Sequence, residues 1–262
     1  MSTYLLDNAA AEAAERFAAL SALYDPVTAR HVDALGVPVG GSCWEVGAGG
    51  PSVPGLLAER VGPRGRVVAT DLDVTWLAGA PPGVEVRRHD VAADEAPGGG
   101  FDLVHARLVL VHVPARDDAL RSMAGALRPG GWLLVEDFDT DLQPVACLDA
   151  SAGETGRRAN RVRDGLLALL AARGIDPRFG RSLPRRLRAA GLVDVGADAY
   201  LPVADPAVAR LEAANVRQVR DALVATGTIT VADVDAHLDA VARGDLELTT
   251  PPLVSAWGRR PG

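Results

Sequence analysis

The feature that most constrains the fold is the alternation of short apolar strands with helical segments between residues 43 and 136. Five strands are predicted there, at Cys43–Val46, Arg66–Thr70, Val84–Arg88, Phe101–His105 and Trp132–Glu136. Helical segments at Val53–Val61 and Asp117–Leu127 lie between them, and Arg128–Gly131 is predicted as a turn. Strands that alternate with helices build parallel sheets that carry helices on both faces. The chain is therefore predicted to be an α/β protein.

The rest of the chain is more helical and adds two late strands. Residues 1–36 are predicted as two helices, one from Ala9 to Leu23 and one that begins at Asp25-Pro26 and ends at Gly36. Later helices are predicted over Arg157–Arg173, over Ser182–Ala190, from Asp205-Pro206, and from Thr230 to about Arg243. The late strands are Val193–Tyr200 and Leu253–Trp257, which bring the predicted total to seven.

These elements suggest a core with helical additions. The predicted segments are an N-terminal helical cap at 1–36, a core at 37–204, a helical cap insertion at 205–250 and a closing strand of the core at 251–262. The two cap segments are expected to cover a pocket, which Tyr4 can help to line.

Composition excludes several classes of function. All 27 basic residues are arginine, and without lysine no Schiff-base enzyme, pyridoxal phosphate anchor or Walker A motif is possible. A net charge of −7 argues against a nucleic-acid partner, because nucleic-acid binding depends largely on basic residues. Two cysteines and no paired histidine motif give no expectation of a metal site. No signal peptide or membrane-spanning run is found, so a cytoplasmic protein without a membrane partner is expected.

A glycine loop follows the first core strand, in the stretch Glu45-Val46-Gly47-Ala48-Gly49-Gly50-Pro51. Glycines let the backbone take positive φ and approach a ligand closely. Asp71 ends the next strand, where a carboxylate can accept the hydroxyl groups of a ribose, and Asp90 follows the third strand, where it can accept from an adenine amine. Each feature alone is more often a turn or a helix cap. Their order on three successive strand ends favours a nucleoside site.

A dinucleotide is a poor match for this loop. The fingerprint G-x-G-x-x-G needs glycine at position 52, which is serine here. Glu45 is badly suited to a pyrophosphate and well suited to a ligand amine.

With these motifs, residues 43–140 resemble the class I S-adenosylmethionine-dependent methyltransferases. The resemblance implies a Rossmann-like, seven-stranded, mostly parallel sheet with helices on both faces and an antiparallel last strand. It implies S-adenosyl-L-methionine as cofactor. The residues it assigns to the cofactor are Glu45, Gly47, Ala48, Gly49, Asp71, Leu72, Asp90, Val91 and Ala106. Pro51 replaces the third glycine of the family's first motif and puts the geometry around the methionine tail in question.

Candidates for the reacting centre follow the fourth and fifth strands. His112 is the first choice as a base, because the pKa of histidine lies near neutrality, although it can equally cap or pack near the next helix. Asp137 is a candidate base or acceptor-orienting group, although Glu136-Asp137 is slightly better read as a solvated turn. Arg107 is expected to steer an acidic acceptor or to pair with a carboxylate such as Asp137. His105 ends a strand and is expected to support the cofactor pocket.

The preferred function is methylation of a small molecule, with O-methylation in secondary metabolism the leading form. The motif that nucleobase-methylating members of the family carry after the fourth strand is absent here, which argues against a nucleic-acid acceptor. The alanine-rich, lysine-free composition is typical of GC-rich coding, as in actinobacteria. Alternatives are an enzyme of the same fold that keeps the cofactor for a cyclase or decarboxylase reaction, a non-catalytic binding protein, and a nicotinamide oxidoreductase. A homodimer is left open.

Overall fold

The computed structural model describes residues 5–6 and 12–262, so Tyr4 and the predicted helix start at Ala9 lie outside the described residues. The strands are β1 Ser42–Val46, β2 Arg66–Asp71, β3 Val84–Arg88, β4 Phe101–Arg107, β5 Leu127–Phe138, β6 Val193–Tyr200 and β7 Leu253–Arg259. The helices are α1 Ala13–Leu35, α2 Ser52–Val61, α3 Arg116–Ala126, α4 Gly153–Ala171, α5 Phe179–Ala189, α6 Pro206–Gln218, α7 Arg220–Ala225 and α8 Val231–Arg243. No helix in this described part of the chain is long and apolar enough to cross a membrane.

The seven strands form one sheet in the order β3-β2-β1-β4-β5-β7-β6. Strands β1 to β5 pair in parallel, and β7 runs antiparallel to β5. The predicted fold class is confirmed. Because the chain builds outward from β1 to β3 and then returns to place β4 on the other side of β1, the strand order reverses between β1 and β4. Open α/β sheets bind ligands outside the carboxyl ends of their strands at such a reversal.

Two predicted elements differ from the structure. The two helices predicted before Gly36 are one continuous helix, α1, with Pro26 inside it. A proline in a helix interior removes one hydrogen bond, but Tyr24 and Thr28 on either side are fully buried, and this burial keeps the helix continuous. The predicted turn at Arg128–Gly131 lies inside β5, where the pairing with β4 is irregular between Phe101 and Leu103.

The chain divides into two compact units. The sheet unit comprises Asp25–Phe138, Phe179–Ala199 and Leu253–Gly262, and its core includes Cys43, Leu57, Val67, Leu103 and Leu134. The helical unit comprises the described residues up to Tyr24 together with Asp139–Arg178 and Tyr200–Pro252, and its core includes Val162, Val216, Leu223, Ile229 and Val234. The unit boundaries fall at other residues than the predicted segments 1–36, 37–204, 205–250 and 251–262. They do so because α1 contributes to both units and residues 139–178 join the helical one.

Candidate functional site

The glycine loop after β1 needs its glycines. Gly47 and Gly49 have φ of 61° and 63°, in the left-handed region that favours glycine. A Cβ on Gly47 would lie 2.4 Å from Val109 Cγ2, so the loop backbone packs directly against the segment that follows β4. Ala48 N–H donates to the Thr70 carbonyl at 3.0 Å and ties the loop to the end of β2. The loop therefore lies at the point where the strand order reverses.

The first turn of α2 has few free donors. Pro51 is the N-cap residue, and its carbonyl accepts the Gly55 N–H at 2.9 Å. Pro54, inside the first turn, has no N–H at all. Only Ser52 and Val53 remain of the four N–H groups that a helix start usually offers. Such a terminus is poor for a pyrophosphate, and this agrees with a ligand that carries no phosphate.

Asp71 links the glycine loop to the end of β2. Its Oδ2 accepts the Gly49 N–H at 2.8 Å, and its Oδ1 accepts the Asp73 N–H at 3.0 Å. Each carboxylate oxygen has two acceptor sites. Asp71 can therefore hold the loop and still accept the two hydroxyl groups of a ribose.

The remaining residues assigned to the nucleoside lie beside Asp71. His89 N–H donates to the Asp71 carbonyl at 2.9 Å, which places Asp90 at the neighbouring strand end. Asp90 Oδ1 accepts the Ala92 N–H at 2.9 Å in a local turn, and Val91 is 9% exposed. Leu72 is 61% exposed, a large apolar side chain that a flat aromatic ring can cover. The ends of β1, β2 and β3, which carry the glycine loop, Asp71 and Asp90, therefore lie side by side at one edge of the sheet, as predicted.

Glu45, the acid of the first motif, is buried at 2% exposure and contacts His105 on the adjacent strand β4. Glu45 Oε2 and His105 Nδ1 lie 2.6 Å apart, so Oε1 is the oxygen left to face other partners. Burial raises the pKa of Glu45, and the nearby His105 opposes that rise. Ala106, the next residue on β4, is paired with Val46 and is itself buried.

Glu136 on β5 contacts the other side of the same imidazole, with His105 Nε2 3.2 Å from Glu136 Oε2. Thr28 on α1 donates its hydroxyl to Glu136 Oε2 at 2.5 Å, and Ser255 on β7 donates to Oε1 at 2.7 Å. Burial alone would lower the pKa of His105, but the two carboxylates raise it to about 9. Burial would raise the pKa of Glu136, but the hydrogen bond from His105 and the nearby His31 imidazole bring it well below its usual range.

The contacts continue beyond Glu136 to the surface. His31 Nδ1 lies 3.4 Å from Glu136 Oε1 without the alignment of a hydrogen bond, and His31 Nε2 lies 3.0 Å from Asp198 Oδ1. Sequence reasoning missed Thr28, His31, Asp198 and Ser255. The one available signal was the spacing of Thr28 and His31, which lie one turn apart on α1 and therefore share a helix face.

Arg107 does not pair with Asp137. Its guanidinium donates to Asp25 Oδ1 at 2.8 Å and to Thr28 Oγ1 at 2.9 Å. The reason is the alternation of side chains along a strand. Arg107 is paired with Glu136 in the sheet and shares its face, so Asp137 points to the opposite face.

Asp137 is fully buried, as is Glu136, so the preferred reading of these residues as a solvated turn is wrong. They are buried because β5 continues to Phe138 and pairs with β7 along that length. Asp137 Oδ2 accepts the Val111 N–H at 3.1 Å, whereas Oδ1 is buried without a hydrogen-bond partner among the described residues. Burial raises the pKa of Asp137 to about 7, against the opposing N–H donors of Val111 and Phe138. His112 is half-buried in the short 3-10 turn Leu110–His112, next to Val111.

The residues at this edge fit S-adenosylmethionine better than a phosphate-bearing nucleotide. A buried acid suits the amine of a methionine tail, and Asp71 suits ribose hydroxyls. The start of α2 contains two prolines and few free N–H donors, which suits a ligand without phosphate. Within residues 5–6 and 12–262, no group of three or more His, Cys, Asp or Glu side chains is arranged to hold a metal ion.

Comparison with known proteins gives the family. A family model described as a methyltransferase domain matches residues 11–196. Methyltransferase str2 of Strobilurus tenacellus is 30% identical over 223 residues, which cover 78% of this chain and 76% of that protein. The ubiquinone/menaquinone biosynthesis C-methyltransferase UbiE of Hahella chejuensis is 31% identical over 123 residues, 44% of this chain and about half (49%) of that enzyme.

A solved structure shares the fold. The phosphoethanolamine N-methyltransferase 2 of Haemonchus contortus, in complex with S-adenosyl-L-methionine, aligns with a TM-score of 0.60 at 15% identity. The alignment covers 100% of this chain and 60% of that one. Together with the family model and the str2 relative, these findings show that the chain belongs to the methyltransferase-domain family and is a class I S-adenosylmethionine-dependent methyltransferase.

Proposed function

We propose that this methyltransferase methylates a hydroxyl group of a small molecule, as an O-methyltransferase of secondary metabolism. The observation that carries the proposal is Asp137, a fully buried carboxyl group with a pKa of about 7, one oxygen of which has no hydrogen-bond partner in the described part of the chain. A base of this kind suits a hydroxyl acceptor, whose proton must be removed as the new bond to oxygen forms.

The cofactor residues are proposed as the sequence assigned them. S-adenosylmethionine supplies an electrophilic methyl group when it is bound. Glu45 would hold its amine, Asp71 its ribose hydroxyls and Asp90 its adenine amine. The other members of the proposed site, which provide backbone approach or apolar contact, are Gly47, Ala48, Gly49, Leu72, Val91 and Ala106.

Asp137 is the first candidate for the base in this proposal, ahead of His112. A general base works best when its pKa lies near the operating pH, and the Asp137 carboxyl is about half ionised near pH 7. Its Oδ2 is fixed by the Val111 N–H, which leaves Oδ1 to accept a proton. His112 follows Val111 directly and is the second candidate. Arg107 is paired with Asp25, so we assign it a structural role and not the steering of an acceptor.

A small acceptor is favoured over a nucleic acid by charge. The chain carries a net charge of −7, and a phosphate backbone binds surfaces rich in unpaired cations. Several arginines already contact carboxylates within the described residues, among them Arg60, Arg107, Arg163 and Arg217.

The test is formation of S-adenosylhomocysteine in the presence of a panel of phenols, alcohols and amines. With an accepted hydroxyl compound, Asp137→Asn should lower kcat by about 10²–10⁴-fold, the usual contribution of a general base. Asp139→Asn is the matched control, because Asp139 is also fully buried and accepts a backbone N–H, from Leu142. It should keep kcat. Equal turnover by Asp137→Asn and the wild type would remove Asp137 from the mechanism.

C-methylation is a second candidate, because several relatives are named as ubiquinone/menaquinone biosynthesis C-methyltransferases. The two reactions leave the methyl group on different atoms. A carbon-13 spectrum of product made with methyl-labelled cofactor separates them, since an O-methyl carbon resonates far downfield of a C-methyl carbon.

A further inference from the structure

Five side chains of the sheet unit form a continuous line of contacts from the first-motif acid to the surface, which we term the acid–histidine chain. Its members in order are Glu45, His105, Glu136, His31 and Asp198. The separations between successive members are 2.6, 3.2, 3.4 and 3.0 Å. Glu45, His105 and Glu136 are at most 2% exposed, whereas the side chain of Asp198 is 38% exposed.

The buried part of this chain needs a cation. An ionised carboxylate away from water is costly unless it is paired and hydrogen-bonded. His105 is placed between two such carboxylates and contacts one with each ring nitrogen. Both ring nitrogens can donate only when the imidazole is protonated. With both carboxylates ionised, the geometry therefore calls for an imidazolium at His105.

We infer that His105 is a positioning residue for the cofactor: as an imidazolium it fixes Oε2 of Glu45 and keeps that carboxylate ionised, so that Oε1 can bind the cofactor amine. Glu136 anchors the imidazolium from the other side, helped by the Thr28 and Ser255 hydroxyls. This inference rests on the cofactor placement proposed above, in which Glu45 faces the methionine tail.

The charged and titratable groups around His105 come from every element packed against it. They are Glu45 on β1, Arg107 on β4, Glu136 on β5, Asp25, Arg30 and His31 on α1, and Asp198 on β6. Arg107 is a permanent cation, and it acts on Glu45 and Glu136 in the same direction as His105. The pKa of His105 is about 9, so His105 stays charged across the neutral range. Burial raises the pKa of Glu45 and the charge on His105 opposes that rise, so loss of the charge would raise this pKa further.

The test is the pH profile of S-adenosylhomocysteine affinity in the wild type and in His105→Gln, measured by isothermal titration between pH 5 and 7.5. An opposite charge within a few ångströms shifts a carboxyl pKa by roughly one to three units. Without the imidazolium, the pH of half-maximal affinity should therefore rise by roughly that amount, and affinity should fall by up to about tenfold per pH unit below it. A merely structural role for His105 would lower affinity by the same factor at every pH.

His237→Gln is the matched control. His237 is also fully buried, and its Nε2 lies 3.1 Å from a buried carboxylate, Glu212 Oε1, but it belongs to the helical unit, whereas the first motif belongs to the sheet unit. It should lower thermal stability and leave both the affinity and its pH profile unchanged.

A second measurement does not depend on the folding of a variant. Nitrogen-15 spectra of the wild-type protein should show both ring nitrogens of His105 protonated from pH 6 to 8, with and without S-adenosylhomocysteine. A neutral His105 at pH 7 would overturn the inference, as would a pH-independent loss of affinity in His105→Gln.

A Glu45 variant tests the placement of the cofactor amine at Glu45 separately from the role of His105. Glu45→Gln should bind S-adenosylhomocysteine more weakly than the wild type, with little dependence on pH. If Glu45→Gln binds as the wild type does, the placement of the amine at Glu45 is wrong and the role of His105 is wrong with it. If Glu45→Gln binds weakly while His105→Gln binds like the wild type at every pH, the placement stands and only the role of His105 is refuted.

Discussion

Replacing Gly47 by alanine tests whether the glycine loop is built against the segment after β4. At φ of 61° the backbone of Gly47 is left-handed, which costs an L-residue roughly 1–2 kcal/mol. The new Cβ would also lie 2.4 Å from Val109 Cγ2 and 2.9 Å from Cγ1, and forcing an extra carbon into such a contact costs typically about 1–3 kcal/mol. The two effects together should lower the free energy of unfolding by about 2–5 kcal/mol.

The two contributions can be separated with a matched glycine. Gly36 has φ of 72° and no atom within 4 Å of an added Cβ, so Gly36→Ala carries the backbone cost without the overlap. We expect Gly36→Ala to lose only about 1–2 kcal/mol. A double-mutant cycle with Val109→Ala tests the overlap directly. In the Gly47→Ala protein, Val109→Ala should recover most of the stability that Gly47→Ala loses beyond Gly36→Ala, because it removes the two methyl groups that overlap with the new Cβ.

Urea unfolding followed by tryptophan fluorescence gives the free energies, and titration with S-adenosylhomocysteine gives the effect on binding. Gly47→Ala should bind more weakly than Gly36→Ala because the displaced backbone belongs to the proposed site. The reasoning is refuted if Gly47→Ala is no less stable than Gly36→Ala, or if Val109→Ala gives no recovery.

Three further predictions concern charge. Glu212→Gln should cost roughly 3–5 kcal/mol at pH 7, because Arg163, 2.9 Å from Glu212, would be left buried without its carboxylate. Burial would raise the pKa of Glu212, but Arg163 and His237 lower it to about 2. The stability that the Glu212 carboxylate contributes is therefore present above pH ~4.3 and is lost as the pH falls towards 2. The melting temperatures of Glu212→Gln and the wild type should converge over that range. The pKa of His105 is raised to about 9, so its contribution is complete below pH ~6.5 and is lost as the pH rises through 9; wild-type melting temperature should fall over that window more steeply than that of His105→Gln.

Most of the fold could be predicted because each strand and helix carries its own local pattern. Val84–Arg88 and Val193–Tyr200 were predicted with the same ends that the structure shows, and Asp205 and Thr230 are helix N-caps as expected. The exceptions were decided by tertiary contacts. Pro26 is a strong local signal for a helix start, but burial on both sides of it keeps α1 continuous. The far end of β5 depends on pairing with β7, which is more than 100 residues away.

The candidate site also combines residues that the sequence could predict with residues that only tertiary contacts bring together. The common location of the glycine loop, Asp71 and Asp90 could be predicted because the carboxyl ends of neighbouring parallel strands meet at one edge of the sheet. The side chains that surround Glu136 come from α1, β4 and β7, and no local pattern connects Thr28, His105 and Ser255. Arg107 was expected near Asp137, but strand alternation places it on the face of Glu136.

The central claim is that the cofactor binds at the glycine loop with its ribose on Asp71, and titration of S-adenosylhomocysteine against the wild type and Asp71→Asn tests it most directly. Asp73→Asn is the control, because Asp73 is an exposed acid two residues away. A hydrogen bond to a charged group is worth about 1.5–3 kcal/mol, so Asp71→Asn should weaken binding by roughly ten- to a hundredfold. Asp73→Asn should bind like the wild type. The account is contradicted if the wild type binds no S-adenosylhomocysteine, or if Asp71→Asn binds as tightly as the wild type.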